Sequence, residues 1–219
     1  MAIKKTTLSK EKIVSLYMDY VLENNEKPKS VFKFSKINEI SESEFYNFFG
    51  TIESIEKEIF KMFFEKTVLL LEKDKEYETY DMKSKLLSFN FTFFEILTAN
   101  RSYVLLTLNE SANQLKNVMQ LSSLRSNYLD FVSEIITDDI KTKQEKFQNF
   151  QEKAIQESFW FQLLMTLKYW MEDSSPALEK TDIYIEKSIN TAFELMNIPT
   201  LDSLIDFGKF LFKEKIYSK

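Results

Sequence analysis

The side chains able to do chemistry in this chain are carboxylates, lysines, hydroxyls, amides and two arginines, Arg101 and Arg125, because it contains no cysteine and no histidine. There is thus no thiolate nucleophile, imidazole base, zinc finger or disulfide, and a metal would have to be a hard ion on carboxylates. Neighbouring acids occur at Glu42/Glu44, Asp138/Asp139 and Glu172/Asp173. None has a neighbour that would push the two pKa values apart, as acid–base catalysis requires. A helical di-iron centre needs Glu-x-x-His on two helices, which a histidine-free chain does not supply. The two glycines, Gly50 and Gly208, are too few and too far apart for a phosphate-cradling loop. An enzyme is therefore not expected, and neither a cofactor nor a metal; what remains is recognition.

The elements that position these groups follow from composition. The 219 residues are 44% hydrophobic and 15% aromatic, and the prolines are only Pro28, Pro176 and Pro199. Sheets need Gly and Pro in their many turns, so this scarcity predicts an all-α fold of about nine or ten helices joined by brief polar links. The net charge of −5, from 29 basic and 34 acidic residues, argues against indiscriminate coating of nucleic acid or acidic membrane. Basic Lys4, Lys5, Lys10 and Lys12 are followed by no apolar leader region, and no stretch of about 18 residues is free of charge. A cytoplasmic location is expected.

The first fifty residues have a distinct shape. Ile13, Val14, Tyr17, Tyr20 and Val21 recur three or four apart, as on one face of a helix ending at Asn24–Asn25. After the link EKPK, Ser30 stands as an N-cap ahead of Val31, Phe34 and Ile37. Asn38–Glu39 closes that short helix. Ser41 caps a third, with Glu44 at the capping-box position and Phe45, Tyr46, Phe48 and Phe49 as apolar mass. Two short helices across a tight turn are the arrangement that offers the second to a DNA major groove.

The stretch Ile40–Ile55, ISESEFYNFFGTIESI, resembles the recognition-helix signature of TetR-family repressors, roughly V-S-x-G-T-L-Y-x-Y-F-x-S-K-E-x-L. Ile40, Ser41, Phe45, Tyr46, Phe49, Thr51, Glu53 and Ile55 fall on matching or chemically similar positions. Upstream, SVFKFSKINEI (Ser30–Ile40) is similar to the family's S-V-x-x-I-A-x-x-A-G-V. The resemblance implies a helix-turn-helix DNA-binding domain over residues 1–51 and a helical effector-binding and dimerisation domain over 52–219, in a bacterial regulator. The DNA-contacting set it implies is Ser30, Lys33, Lys36, Ser41, Glu42, Ser43, Glu44, Tyr46 and Asn47. This chain departs from the pattern at particular points. Glu39 stands at the turn glycine, so Asn38 or Glu39 must adopt that backbone geometry, and Ser43 replaces the small glycine. Glu42 and Glu44 replace basic or neutral residues, and Ile52 a lysine. Residues 1–50 hold eight lysines against seven acids; of these lysines, Lys27, Lys29, Lys33 and Lys36 lie near the second helix, within reach of phosphates.

Beyond Thr51, the spacing of Ile52, Ile55, Ile59, Met62 and Phe63 predicts a long helix leading from the small domain to the large one. Ala154–Met171 is apolar around nearly its whole circumference, which predicts burial on most sides. Ser175–Pro176 is expected to open a helix through Ile183, Ile189 and Met196, stopped by Asn197 and Pro199. By resemblance, the helices over about 151–172 and 176–197 would form a homodimer. An apolar pocket for a small hydrophobic effector is expected among Phe89, Phe93, Phe94, Tyr128, Phe131, Phe159 and Leu163. The last segment, TLDSLIDFGKFLFKEKIY (residues 200–217), is amphipathic, which suits packing on its own domain or, less readily, contact with a membrane. The expected partners are thus double-stranded operator DNA, a lipophilic effector and a second copy. The alternative is a TetR-fold lipid-binding or protein-interaction module that has lost DNA binding.

Overall fold

Capping side chains three residues from a backbone donor set where most of the helices begin. The computed structural model describes residues 8–109, 119–139 and 145–196, and among these the structure is helical with no strand. In chain order the helices are α1 (Lys10–Asn24), α2 (Val31–Ile37), α3 (Glu42–Tyr46), α4 (Ile52–Leu71), α5 (Met82–Ala99), α6 (Arg101–Asn109), α7 (Ser122–Asp139), α8 (Glu145–Glu172) and α9 (Glu179–Met196), with single 3₁₀ turns at Tyr77–Thr79 and Pro176–Leu178. None of the described helices is long and apolar enough to cross a membrane. Residues 200–217, the amphipathic terminal stretch, lie outside the described residues, as do Lys4, Lys5 and the expected stop at Asn197 and Pro199.

The chain divides into two compact units, Met1–Lys75 with Thr92–Phe131 and Glu76–Phe91 with Val132–Lys219. In the first, α1 is capped by Ser9 and buries Ile13, Val14, Tyr17, Tyr20 and Val21, the face its periodicity foretells. It ends at Asn25 in the left-handed conformation (φ 51°), which asparagine tolerates better than most residues. Ser30 caps α2 through the Lys33 N–H at 3.1 Å. The ring of Phe34, fully buried, stands edge-on to Tyr17, Tyr20 and Phe45 at centroid separations of 6.2, 6.4 and 5.9 Å, so one aromatic side chain knits α1, α2 and α3. Helix α1 also packs against α4 and α6.

In the second unit α8 lies along α9. Phe159, Trp160, Leu163, Leu167 and Trp170 are buried from α8, and Ile185 and Ile189 from α9. A polar bridge crosses the pair, with Gln162 Nε2 donating to Thr166 Oγ1 and to Ser188 Oγ, both at 3.0 Å. Tyr169 stacks on Tyr184 at 4.5 Å. The all-round apolar reading of α8 needs correction at Phe161, which is 61% exposed.

The start of α9 also differs from expectation. Pro176–Leu178 is a 3₁₀ turn with Ala177 and Leu178 at positive φ (52° and 59°), and the α-helix begins at Glu179. Ser175 is the N-cap of the 3₁₀ turn and its hydroxyl accepts from the Lys180 N–H at 3.3 Å, but the principal cap of α9 is Asp173. Asp173 Oδ1 accepts from the Ser175 N–H (2.8 Å) and hydroxyl (2.7 Å), and Oδ2 from the Thr181 N–H (2.9 Å) and hydroxyl (2.7 Å). Burial alone would raise the Asp173 pKa; the bonds from Ser175 and Thr181 outweigh it and hold it at about 2. Because the folded value lies below the unfolded one, the stability that the ionised group contributes is complete above about pH 5 and disappears as pH falls toward 2. Replacing Asp173 by Ala should cost about 1–2 kcal/mol. In thermal melts, the gap between the native protein and Asp173→Asn should shrink steadily from pH 5 to pH 2; a gap independent of pH would contradict this account.

Candidate nucleic-acid interface

The turn between α2 and α3 shapes the candidate interface. Glu39 adopts φ 55°, and the Ile40 N–H reaches back to the Ser35 carbonyl at 3.0 Å, a closing bond that normally goes with glycine at the left-handed position. The strain anticipated for Asn38 or Glu39 falls on Glu39, at about 1–2 kcal/mol. Helix α3 then starts with a complete capping box. The Glu44 N–H donates to Ser41 Oγ at 3.2 Å, while Glu44 Oε2 accepts from the Ser41 N–H at 2.8 Å and from its hydroxyl at 2.7 Å.

This geometry sorts the nine expected DNA contacts. Ser30 and Ser41 are exposed, with their hydroxyls acting as caps. The carboxylate of Glu44 folds back onto Ser41. Ser43 is exposed, with its hydroxyl 3.1 Å from that of Ser41. Glu42, Tyr46 and Asn47 are exposed on or just after α3, and Lys33 and Lys36 on α2, where the Lys36 ammonium stands 6.0 Å from the centre of the Phe32 ring. Lys29 and Lys12 are exposed too. Phe32, at 59%, and Ile37, at 54%, are apolar side chains left open on the same short helix.

Two lysines, Lys10 on α1 and Lys27 in the α1–α2 link, are engaged inside the unit. Lys10 Nζ pairs with Glu58 Oε1 at 2.7 Å and lies 5.8 Å from the Phe49 ring centre. Lys27 Nζ pairs at 2.6 Å with Oε1 of Glu56, which is buried and also accepts from the Tyr17 hydroxyl at 2.7 Å. Glu56 thereby binds α1 and the α1–α2 link to α4. No motif singles this residue out, although the sequence does hold a signal. Glu56 lies on the stripe Ile52, Ile55, Ile59, Phe60, Phe63, at the spacing of its buried face, and a carboxylate there demands partners.

The seven residues expected to line an effector pocket are all buried. Phe93, Phe94, Tyr128 and Phe131 belong to the first unit, where Phe131 is edge-on to Phe64 at 6.2 Å; Phe89, Phe159 and Leu163 belong to the second, where Phe159 lies 5.6 Å from Phe193. A wide cleft of about 710 Å³ lies elsewhere, bordered by Leu22 and Asn25 at the end of α1 and Ser102, Leu105, Leu106 and Asn109 on α6. Among the described residues no group of acids is arranged to hold a metal ion.

Residues 85–211 match the family model described as "Tetracyclin repressor-like, C-terminal domain", which covers more than half of the chain. The chain belongs to the TetR family of transcriptional regulators. The fold agrees: a putative TetR-family transcriptional regulator from Syntrophomonas wolfei superposes with a TM-score of 0.61 at 18% identity, covering 85% of this chain and 93% of that one. The fatty acid degradation regulator FadR from Bacillus halodurans superposes with a TM-score of 0.58 at 17% identity, over 86% and 96% respectively. No curated protein matches the sequence.

Within residues 30–55 the departures from the TetR-family signature have local explanations. Glu39 makes its turn under strain, Glu44 is consumed by the cap, and Ile52, where the signature has lysine, is buried at the start of α4. The Glu56 contacts generate a measurable consequence. Glu56→Ala removes the buried carboxylate that accepts from the Tyr17 hydroxyl and pairs with Lys27, which should cost about 2–4 kcal/mol in urea denaturation. Tyr17→Phe keeps the ion pair and should cost about 1 kcal/mol. Equal losses for the two variants would show that the ion pair adds nothing.

Proposed function

We propose that this TetR-family chain is a DNA-binding transcriptional regulator that works as a homodimer in the cytoplasm. In this reading residues 1–51 form the reading head, and residues 52–219 bind a small lipophilic effector and pair the subunits. The observation that carries it is the head itself: a short helix bearing exposed Lys33 and Lys36, a tight turn, and a capped α3 presenting Tyr46 and Asn47 with the Glu44 carboxylate drawn back into its own cap. Of the two acids that would repel a phosphate-lined groove, Glu42 alone stays outside the capping box. Lysines on the first helix of such a motif contact backbone phosphates, so they must supply most of the electrostatic affinity.

The effector is proposed as neutral or weakly polar, because the buried side chains of the matched region are largely aromatic and aliphatic; the B. halodurans regulator of the same fold is a fatty acid degradation regulator, and an aliphatic ligand fits the same chemistry. Dimerisation is proposed through α8 and α9, where Phe161, Tyr169 and Ile183 are exposed and would be covered by a second copy.

Gel-shift titrations with the DNA flanking its own gene test the reading. Lys33→Ala and Lys36→Ala should each weaken binding and lower the slope of affinity against salt by about one unit. Absence of any shift at low salt would favour instead a TetR-fold lipid-binding or protein-interaction module. For assembly, light scattering should give twice the chain mass. Phe161→Glu changes a residue already open to solvent, so it should leave the chain folded and monomeric; a dimer that persists would exclude this face.

A further inference from the structure

We infer that the reading head selects A·T-rich half-sites and that Asn47 is its specificity-determining residue, an inference that rests on the DNA-binding reading above. It follows from which side chains remain free to meet base edges. Guanine is most often read by an arginine bidentate to O6 and N7, less often by lysine. The only arginines, Arg101 and Arg125, lie on α6 and α7, outside the head. Lys10 and Lys27 are engaged with Glu58 and Glu56, while Lys29, Lys33 and Lys36 precede or lie on α2, the helix that crosses the backbone and does not enter the groove. Helix α3 therefore presents no cationic donor for guanine.

What it does present is complementary to the other base pair. Glu44 is folded into the capping box, and the Ser43 hydroxyl is within hydrogen-bond distance of Ser41. Asn47 is exposed, with its backbone N–H donating to the Ser43 carbonyl at 3.2 Å. Its carboxamide has the donor and acceptor that match N7 and N6 of adenine. Tyr46, 53% exposed, is held edge-on against Phe45 at 5.5 Å, which leaves an apolar ring surface suited to the thymine methyl group. Glu42 is the one side chain suited to the G·C pair, as an acceptor for cytosine N4, and it must approach phosphates to do so.

The test is selection of duplexes from a randomised pool by the full-length protein at low salt, followed by sequencing of the retained DNA, with Asn47→Ala and Asn47→Arg in parallel. The native protein should enrich A·T-rich half-sites with one dominant A·T pair. Asn47→Ala should flatten the preference at that pair by about tenfold without changing the salt slope, and Asn47→Arg should shift it to G·C. A guanine-centred motif, or one unchanged by both substitutions, would overturn the assignment while leaving DNA binding intact. Failure of the folded native protein to retain any DNA would overturn the DNA-binding reading itself, and the inference with it.

Discussion

The buried carboxylate of Glu56 is the contact on which the geometry of the head depends. Taking an ion out of water costs several kcal/mol unless partners replace the lost solvation, and here the Lys27 ammonium and the Tyr17 hydroxyl supply that replacement. The buried apolar side chains of the same two helices, such as Ile13 and Val14 of α1 and Ile55 and Ile59 of α4, make non-directional contacts that tolerate sliding. A hydrogen-bonded charge does not. A shift of α4 by one helical position would break the contacts of Glu56 with Tyr17 and Lys27 together, so polar contacts inside a largely apolar face help fix the register of α1 and of the α1–α2 link against α4. Lys10 and Glu58, at the more exposed edge of the same helix pair, repeat the device.

A chain with two glycines also has to make its turns from other residues. Asn25, Glu39, Ala177 and Leu178 all occupy left-handed backbone, each at about 1–2 kcal/mol against an unrestrained conformation, less for asparagine. Each such bend lies beside a capped helix end. Ser30 follows Asn25, Ser41 follows Glu39, and Asp173 brackets Ala177 and Leu178 with bonds to Ser175 and Thr181. Caps contribute about 1 kcal/mol apiece, similar in size to the strain, which is why the turns persist without glycine. At α3 the same compensation has an electrostatic consequence for the proposed DNA binding, since the carboxylate that completes the cap is drawn back onto Ser41.

Legibility in the sequence follows the range of the interaction. The caps at Ser30 and Ser41, the Glu44 box, the end of α1 and the strained position at Asn38 or Glu39 depend on residues three or four apart, and each is readable from the local sequence alone. The burial of Phe34 and Phe45 follows from periodicity. Contacts between Tyr17 and Glu56 or Lys10 and Glu58, 39 and 48 residues apart, leave no local trace beyond a charge on an apolar stripe. Asp173 is hidden because its partners flank a 3₁₀ turn that Ser175–Pro176 disguises as a simple helix start. The exposure of Phe161 has a different reason: hydrophobicity expresses a preference for burial, whereas the number of neighbours available to cover a helix is a property of the whole fold.

The charge distribution constrains how the proposed regulator would meet DNA. With the chain at −5 and residues 1–50 at +1, the remaining residues carry −6, so a duplex is repelled by most of the surface and tolerated at the head alone. Screening limits that repulsion to about 8 Å at physiological ionic strength, which makes it a filter on orientation more than a barrier to approach. The exposed lysines beside or on α2, Lys29, Lys33 and Lys36, offer six phosphate contacts in a dimer. That number corresponds to an affinity loss of roughly a thousandfold between 50 and 200 mM salt. Non-specific binding held by so few contacts is weak under cellular conditions, and residence on an operator must then come from base contacts and from the linkage of two heads. The weakly basic surface thereby favours discrimination over affinity, and it places the burden of recognition on the few α3 side chains that the capping box leaves free.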